Sequence, residues 1–341
     1  MKNIFKNKKI LITGGTGSIG QEILCEILKH EPTVVRILDI DETKQFELQQ
    51  EYKNYENVRF LLGDIRDKER LSRAIEDIDI VFHTAALKHV MGCEYNPFEA
   101  VKTNVIGIQN LIDVAMDEEV EKVIFTSSDK AVNPTNVMGA TKLLAERLIT
   151  SANYYKGARK TIFSSVRFGN VLGSRGSVIP LFKKQIRKGG PVTITDKKMT
   201  RFIMSMRDAI NLLFKATEIA QRGEIFVFKM DAIKITDLAE VMVEELAQKY
   251  GYTPDEIKIA IIGNKPGEKL YEELMTEDEA RRALETKDMF IVLPVMKELS
   301  DIDKSYYPLT SQAENKAYTS KDTEHLAKEE IKEILYRENL L

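Results

Sequence analysis

Lys9-Ile10-Leu11-Ile12-Thr13-Gly14-Gly15-Thr16-Gly17-Ser18-Ile19-Gly20 is the stretch from which the rest of the chain can be read. A short β-branched run ends in closely spaced glycines, and a helix with Ile19, Ile23, Ile27 and Leu28 on one face begins inside them. Glycines at such a turn let the backbone bend tightly and approach a pyrophosphate, while the helix N-terminus offers unpaired amide donors and a favourable dipole. Glycine-rich turns are common by themselves. The strand before this one and the helix after it supply the context that predicts a dinucleotide-binding βαβ unit.

Outward from this unit, β-branched runs at 9–13, 34–39, 58–63, 78–83 and 122–126 alternate with amphipathic stretches, the pattern of a parallel sheet wound by helical crossovers. A helix over about 141–154 and a sixth strand over 160–167 follow. The expected fold is α/β, a Rossmann-type doubly wound parallel sheet with a smaller C-terminal substrate-binding domain. Residues 1–170 are expected to form the dinucleotide-binding domain, its core extending into later segments. Glycine- and proline-rich loops mark 171–295 as mainly substrate-binding, and 296–341 as an extension ending in a charged amphipathic helix. Asp39 closes the second strand about 20 residues beyond the glycines, where a carboxylate can accept both adenosine ribose hydroxyls. Ile40, Asp41 and Glu42 follow it without an arginine, which favours NAD over its 2′-phosphorylated relative. Asp64, after the third strand, is placed to accept from the adenine amino group.

Composition narrows the classes. Among 341 residues, 50 Lys and Arg nearly balance 53 Asp and Glu, so no global field draws the chain to nucleic acid. Cys25 and Cys93 are the only cysteines and show neither metal-ligand spacing nor a disulfide framework, which suits a reducing compartment. No apolar run approaches membrane-spanning length, and the lysine-rich start lacks a signal-peptide core. A cytoplasmic location without a membrane segment is the expectation.

The chemistry is carried by Thr126-Ser127-Ser128-Asp129-Lys130-Ala131-Val132-Asn133-Pro134-Thr135-Asn136-Val137-Met138-Gly139-Ala140-Thr141-Lys142. With the glycine loop, this segment resembles the extended short-chain dehydrogenases, in which a Ser or Thr, a Tyr and a Lys four residues later sit beside the nicotinamide. Ser128 and Lys142 match; Met138 stands where the tyrosine is expected, and a thioether exchanges no proton. Asp129 and Lys130 supply ionisable groups at the C-terminal end of a strand, where open α/β sheets place ligands. Ser-Asp-Lys-Ala, Asn-Pro and Met-Gly-Ala-Thr-Lys are similar to the UDP-N-acetylglucosamine 4,6-dehydratases of surface-polysaccharide synthesis, which include a methionine branch. Segments 85–90, 94–97, 102–104, 167–171, 174–180, 199–202 and 266–269 extend the resemblance over about 9–294. Lys265 stands where an arginine is usual.

The resemblance implies an NAD site at Gly14, Thr16, Gly17, Ser18, Ile19, Gly20 and Asp39, with Asp64, Ile65, Ala85, Ala86, Lys88, Asn104 and Lys142 around it. It implies a UDP-sugar site at Lys88, His89, Asn170, Arg175, Val178, Thr200, Arg201, Met204 and Glu268, with Arg201 and Arg175 on the diphosphate. Ser128, Asp129, Lys130, Met138 and Lys142 would form the reaction centre. NAD takes hydride from carbon 4 of the sugar, water leaves from carbons 5 and 6, and the hydride returns to carbon 6. Asp129 is the expected acid and Lys130 the expected carbon 5 base, provided that burial or a cation such as Lys142 lowers its pKa. Ser128 would bind the oxygen on carbon 4, and Lys142 the nicotinamide ribose. Whether the first proton passes to water or to Asp129 stays open. His83 reads as a satisfied core histidine; Met91, Met204 and Met206 read as packing, Met204 near the sugar. Two rivals share the fold: an NAD-dependent nucleotide-sugar 4-epimerase and a silent NAD-sensing scaffold. The resemblance also implies a homo-oligomer, formed through helices over about 97–116 and 141–154.

Overall fold

A computed structural model describes residues 3–174, 176–263, 267–296, 307 and 310–341. Strand β1 (Lys9–Thr13) lies inside a sheet with β2 (Val34–Asp39) and β3 (Val58–Leu62) on one side. On its other side come β4 (Ile80–His83), β5 (Lys122–Thr126) and β6 (Ile162–Arg167). Their parallel order, β3-β2-β1-β4-β5-β6, reverses direction between β1 and β4, and such reversals open a crevice at the strand ends. Both faces are covered, so Ile10, Leu11, Ile12, Val35, Ile37, Val81 and Phe82 are all wholly buried. The fourth strand starts two residues later than its apolar run, because the Ile78 amide donates to the Ile75 carbonyl and closes the preceding helical turn.

Helices α1 (Ser18–Ile27), α2 (Glu42–Glu51) and α3 (Lys68–Ile75) make the first crossovers. Next come α4 (Val90–Tyr95), α5 (Pro97–Val101), a π-helical turn over Lys102–Ile106 and α6 (Gly107–Asp117). The single helix expected over 97–116 therefore carries a local widening at Asn104. Helix α7 (Val137–Tyr155) begins four residues before its apolar pattern suggests, because the Asn136 side chain accepts from the Gly139 amide at 2.8 Å and caps it.

Beyond residue 170 the chain alternates between two bodies of structure. Strands β7 (Asn170–Val171), β8 (Val192–Ile194) and β9 (Thr200–Met204) belong to the smaller part with α8 (Val178–Ile186). After α9 (Met206–Ile219), β10 (Ile225–Phe228) returns to the large sheet and pairs in parallel with β6. The smaller part then resumes with β11 (Asp231–Lys234), α10 (Ile235–Leu246) and β12 (Ile259–Ile261). Sheet order there is β11-β9-β7, with β8 and β12 as a separate pair. Strand β13 (Glu273–Met275) and α11 (Glu277–Ala280) lead to β14 (Ala283–Glu285) and β15 (Met289–Val292), which extend the large sheet antiparallel with β16 (Ser311–Gln312). Strand β17 (Tyr318–Thr319) pairs with β13, and the last helix, Lys328–Arg337, buries Ile331 and Leu335 against the smaller core. These crossings bring residues 267–273 and β9 over the C-terminal end of β5.

Candidate active site

The glycine turn is built as a cradle. Gly14 has φ +66°, and a Cβ added there would lie 2.6 Å from the Ala85 backbone, so the loop after β4 closes directly over it. A Cβ on Gly20 would meet the Gly15 Cα at 2.5 Å, which explains how closely α1 sits on the turn. Gly17 precedes α1 and gives no side-chain cap. Asp39 lies beside the cradle, its Oδ2 accepting from the Thr16 amide at 3.0 Å and the Thr16 hydroxyl at 2.7 Å. A positive φ, glycines at 14, 15 and 17 and a carboxylate at the strand end fit a dinucleotide. Gly14→Ala is expected to cost about 1–3 kcal/mol in urea unfolding and to weaken NAD binding in a titration. An alanine protein that matches wild type in both would refute the cradle.

On the other side of the crevice, Ser128 begins a 3₁₀ turn (Asp129–Ala131), its hydroxyl accepting from the Lys130 amide and donating to Asp129 Oδ1 at 2.8 Å. The Lys130 Nζ lies 2.9 Å from Asp129 Oδ2 and 3.8 Å from Glu272 Oε1, with 34% of its side chain exposed toward the crevice. Glu272 is almost wholly buried; both its oxygens accept from Asn170 Nδ2 at 3.0 Å, and Oε2 also accepts from the Phe202 amide at 3.1 Å. Arg201 Nε is 3.3 Å from Glu272 Oε1, and Arg201 Nη2 is 3.6 Å from Glu268 Oε1. Three carboxylates, Asp129, Glu272 and Glu268, and two cations, Lys130 and Arg201, thus meet in one half-enclosed space.

Their protonation follows from this crowding. Burial pushes Asp129 up, but Lys130 and the hydroxyl of Ser128 outweigh it and hold the carboxyl below the usual aspartate value. Burial pulls Lys130 down, but the charges of Asp129 and Glu272 hold it above the usual lysine value. Glu272 is pushed up to about 7 by burial and then by the charge of Asp129, against Lys130 and Arg201. Lys142 donates to the Thr126 carbonyl at 2.9 Å and lies 4.6 Å over the Phe125 ring, and its burial brings it down to about 8. The lowering of Lys130 toward neutrality by burial or by Lys142, expected from the sequence, is therefore not found. The neighbours of Lys130 are acids, and they keep it charged.

Similarity to known proteins agrees with this geometry. A family described as "Polysaccharide biosynthesis protein" matches residues 10–294. The chain is 60% identical to an uncharacterized membrane protein of Methanocaldococcus jannaschii, over 98% of this chain and 97% of that one. It is 43% identical to a UDP-N-acetylglucosamine 4,6-dehydratase (inverting) of Campylobacter jejuni, over 86% of this chain and 85% of that one. A protein of Rickettsia conorii named UDP-glucose 4-epimerase is 38% identical, over 97% and 96%. The crystal structure of Pen from Bacillus thuringiensis superimposes with a TM-score of 0.92 at 50% identity, covering 99% of both chains. The chain belongs to this polysaccharide biosynthesis family of extended short-chain dehydrogenases.

In this nucleotide-sugar dehydratase and epimerase group, the expected substrate residues distribute unevenly. Asn170, Val178, Arg201 and Glu268 line a cavity of about 560 Å³ between β9 and α8. Exposed His89 reaches the same loop, where its Cε1 would lie 3.0 Å from a Cβ on Gly176. Lys88, also exposed, precedes it. Arg175, Lys265 and Pro266 lie outside the described residues. Thr200 is not open to a ligand: it is buried, and its hydroxyl shares a hydrogen bond of 2.8 Å with Ser320. Met204 does not reach the sugar side either. Strand alternation turns Phe202 and Met204 toward the main core, opposite Arg201, and Met204 lines a separate cavity of about 420 Å³ with Asp208 and Asp231. Arg167, in a segment expected near the nucleotide, is fully buried.

Around the cofactor side, three of the expected residues have partners within the protein. Asp64 is engaged by the Arg66 amide at 2.9 Å and its Nε at 2.8 Å in a local ion pair. Ile65 is buried and packs on Gly107. Asn104 donates to the Leu87 carbonyl and Thr141 hydroxyl and accepts from the Leu87 amide, so its amide fixes the loop carrying Ala85, Ala86 and Lys88. Met138 packs with Cys93 and Ala100 in a small apolar cluster. His83 is a core histidine as expected, its Nδ1 2.6 Å from the Thr13 hydroxyl. Glu272 was missed from the sequence. The one available signal was an acid pair, Glu272-Glu273, entering a strand whose next residue, Leu274, is wholly buried.

Proposed function

We propose that this chain is an NAD-dependent UDP-N-acetylglucosamine 4,6-dehydratase that supplies a UDP-4-keto-6-deoxy-N-acetylhexosamine for surface glycans. The observation that carries this is the acid–base cluster of Ser128, Asp129 and Lys130 beside the glycine cradle, with Met138 at the tyrosine position. A 4-epimerization needs one oxidation and its reversal. A dehydration needs in addition a base at carbon 5 and an acid at carbon 6, and this site holds two carboxyls and a lysine for those tasks. The curated dehydratase relative supports the same choice of substrate.

In this assignment Gly14, Thr16, Gly17 and Ser18 hold the pyrophosphate of NAD, Asp39 the adenosine ribose and Lys142 the nicotinamide ribose. Ile19 and Gly20 continue the helix under the pyrophosphate. The bound nucleotide would accept a hydride from carbon 4 and return it to carbon 6. Ser128 orients the oxygen on carbon 4, and its hydroxyl already bridges to Asp129. Asp129, ionised at rest, takes the proton of that hydroxyl and later gives it to the oxygen leaving carbon 6. Lys130 removes the proton on carbon 5 once it has lost its own. Arg201, with 14% of its side chain exposed, binds the diphosphate, together with Arg175.

No helix among the described residues is long and apolar enough to cross a membrane, and we assign the enzyme to the cytoplasm, where its nucleotide substrate is made. Exposed Phe98, Ile106 and Leu144 on α5, the π turn and α7 are assigned to a contact between identical copies. Incubation of the purified protein with UDP-N-acetylglucosamine in heavy water tests the function. The expected product is lighter by one water and carries deuterium at carbon 5. An unchanged mass with an inverted carbon 4 would instead make it an epimerase, as the Rickettsia relative is named. NAD binding without any conversion would make it a sensing scaffold.

A further inference from the structure

A lysine pinned between two carboxylates is a poor base, and the site must contain the means of discharging it. The two halves of the site meet at Glu272. Asp129 and Lys130 face it from the turn after β5, and Arg201 from β9; Lys269 and Glu273 flank it on its own segment. Lys269 is drawn away by the Val132 carbonyl at 2.8 Å, and Glu273 by Asn133 at 2.7 Å, so neither competes for the Glu272 oxygens. The backbone of Glu272 is fixed in turn: its amide donates to the Ser320 hydroxyl at 2.9 Å, and its carbonyl accepts from the Ser320 amide at 2.8 Å. Its Oε1, which also accepts from Asn170 Nδ2 at 3.0 Å and lies 3.3 Å from Arg201 Nε, faces Lys130 Nζ at 3.8 Å, one short side-chain movement from direct contact.

Resting on the dehydratase assignment, we propose that Glu272 is a proton-storing residue that acts through Lys130: it takes the ammonium proton of Lys130 before elimination and returns it afterwards. The protons balance over one turnover. The hydroxyl on carbon 4 gives its proton to the Asp129 carboxylate, and Lys130 gives one to the Glu272 carboxylate, which leaves a neutral amine facing carbon 5. The carbon 5–hydrogen bond then breaks toward Lys130, and its electron pair forms the carbon 5–carbon 6 double bond. The carbon 6–oxygen bond breaks as Asp129 returns its proton, and water departs. When the hydride returns to carbon 6, carbon 5 takes a proton from Lys130, and Glu272 recharges the lysine. Asp129, Lys130 and Glu272 end in the states in which they began.

The carboxyl is suited to this in a way an ordinary glutamate is not. Its value near 7 places it closer to a lysine as a proton acceptor, and the same enclosure that raises it excludes the water that would otherwise set the proton level. Arg201 and the Asn170 amide hold the carboxyl in place without removing its ability to take a proton.

The test compares wild type with Glu272→Gln, which keeps shape and an acceptor but stores no proton. Wild-type kcat should fall on the acid side with a midpoint near 7, where Glu272 is already protonated and cannot accept. The glutamine enzyme should lose turnover by roughly a hundred-fold or more, keep KM within a few-fold, and lack that acid limb. Carbon-13 NMR of glutamate-labelled resting protein should show a carboxyl titrating near 7 that is absent from Glu272→Gln, which reads the stored proton independently of turnover. A glutamine enzyme with the wild-type pH profile and near-wild-type kcat would overturn the proposal, as would the absence of the titrating carboxyl. A wild-type protein that titrates this carboxyl yet forms no dehydrated product would instead overturn the dehydratase assignment, and the role of Glu272 with it.

Discussion

Lys130→Met is expected to lower kcat by roughly a hundred- to ten-thousand-fold, the range that a positioned acid or base contributes, and to abolish solvent deuterium uptake at carbon 5. Methionine approximates the length of the side chain, so the turn from Ser128 to Ala131 should survive. KM should move little, because the cavity lined by Asn170, Arg201 and Glu268 does not include Lys130. Charge alone could explain such a loss, since Lys130 neutralises Asp129 at 2.9 Å. Lys130→Arg separates the two roles: arginine keeps the charge but does not release its proton at working pH. The arginine enzyme should be as slow as the methionine enzyme in carbon 5 exchange. If it exchanges deuterium at the wild-type rate, the lysine is an electrostatic partner and the base lies elsewhere.

The sheet and the cradle were legible because their signals are local. Gly14 and Gly20 are dictated by a turn and a helix that follow one another in the chain, and Asp39 by the end of the next strand. Asp129 and Lys130 were legible for the same reason. What they would do was not, because protonation is set by what lies across the space. Glu272 is more than 140 positions from Lys130 in sequence, and nothing in either segment announces that 3.8 Å separates them. The same limit explains Thr200 and Asp64: each is a plausible ligand-binding residue in its own segment, and each is engaged by a partner, Ser320 or Arg66, that only folding reveals. Met204 packs in the core as read, but its expected place near the sugar did not follow, since an unmarked short strand gives no sign of which of its faces is the inner one until β7 and β11 are paired with it.

Arg167→Met is expected to destabilise the protein by roughly 3–5 kcal/mol, the cost of leaving buried charges without their partner. Arg167 ends β6 fully buried, and all five of its N–H donors are used. Nε and Nη2 bond Glu146 at 2.7 and 2.6 Å, Nη1 and Nη2 bond Glu279 at 2.8 and 2.9 Å, and Nη1 reaches the Leu274 carbonyl at 3.2 Å. Glu146 lies on α7, which carries Lys142, and Glu279 on α11, just beyond the strand that follows Glu272, so this one guanidinium joins the two sides of the candidate site. Burial pushes Glu279 up, but Arg167 outweighs it and holds the carboxyl below the usual glutamate value. In wild type this group therefore adds stability above the usual glutamate range, and the contribution is lost as pH falls through its lowered value. In Arg167→Met burial is opposed only by the Thr276 amide and the more distant Arg282, so Glu279 moves up from its lowered value and the variant weakens as pH rises through it. The gap between the two proteins in urea unfolding should be widest at neutral pH and narrow in acid. Adding Glu146→Gln and Glu279→Gln to the methionine variant should recover part of the loss at neutral pH, since no uncompensated charge is then buried. A gap that stays constant with pH would mean that the guanidinium contributes through packing and not through its two carboxylates.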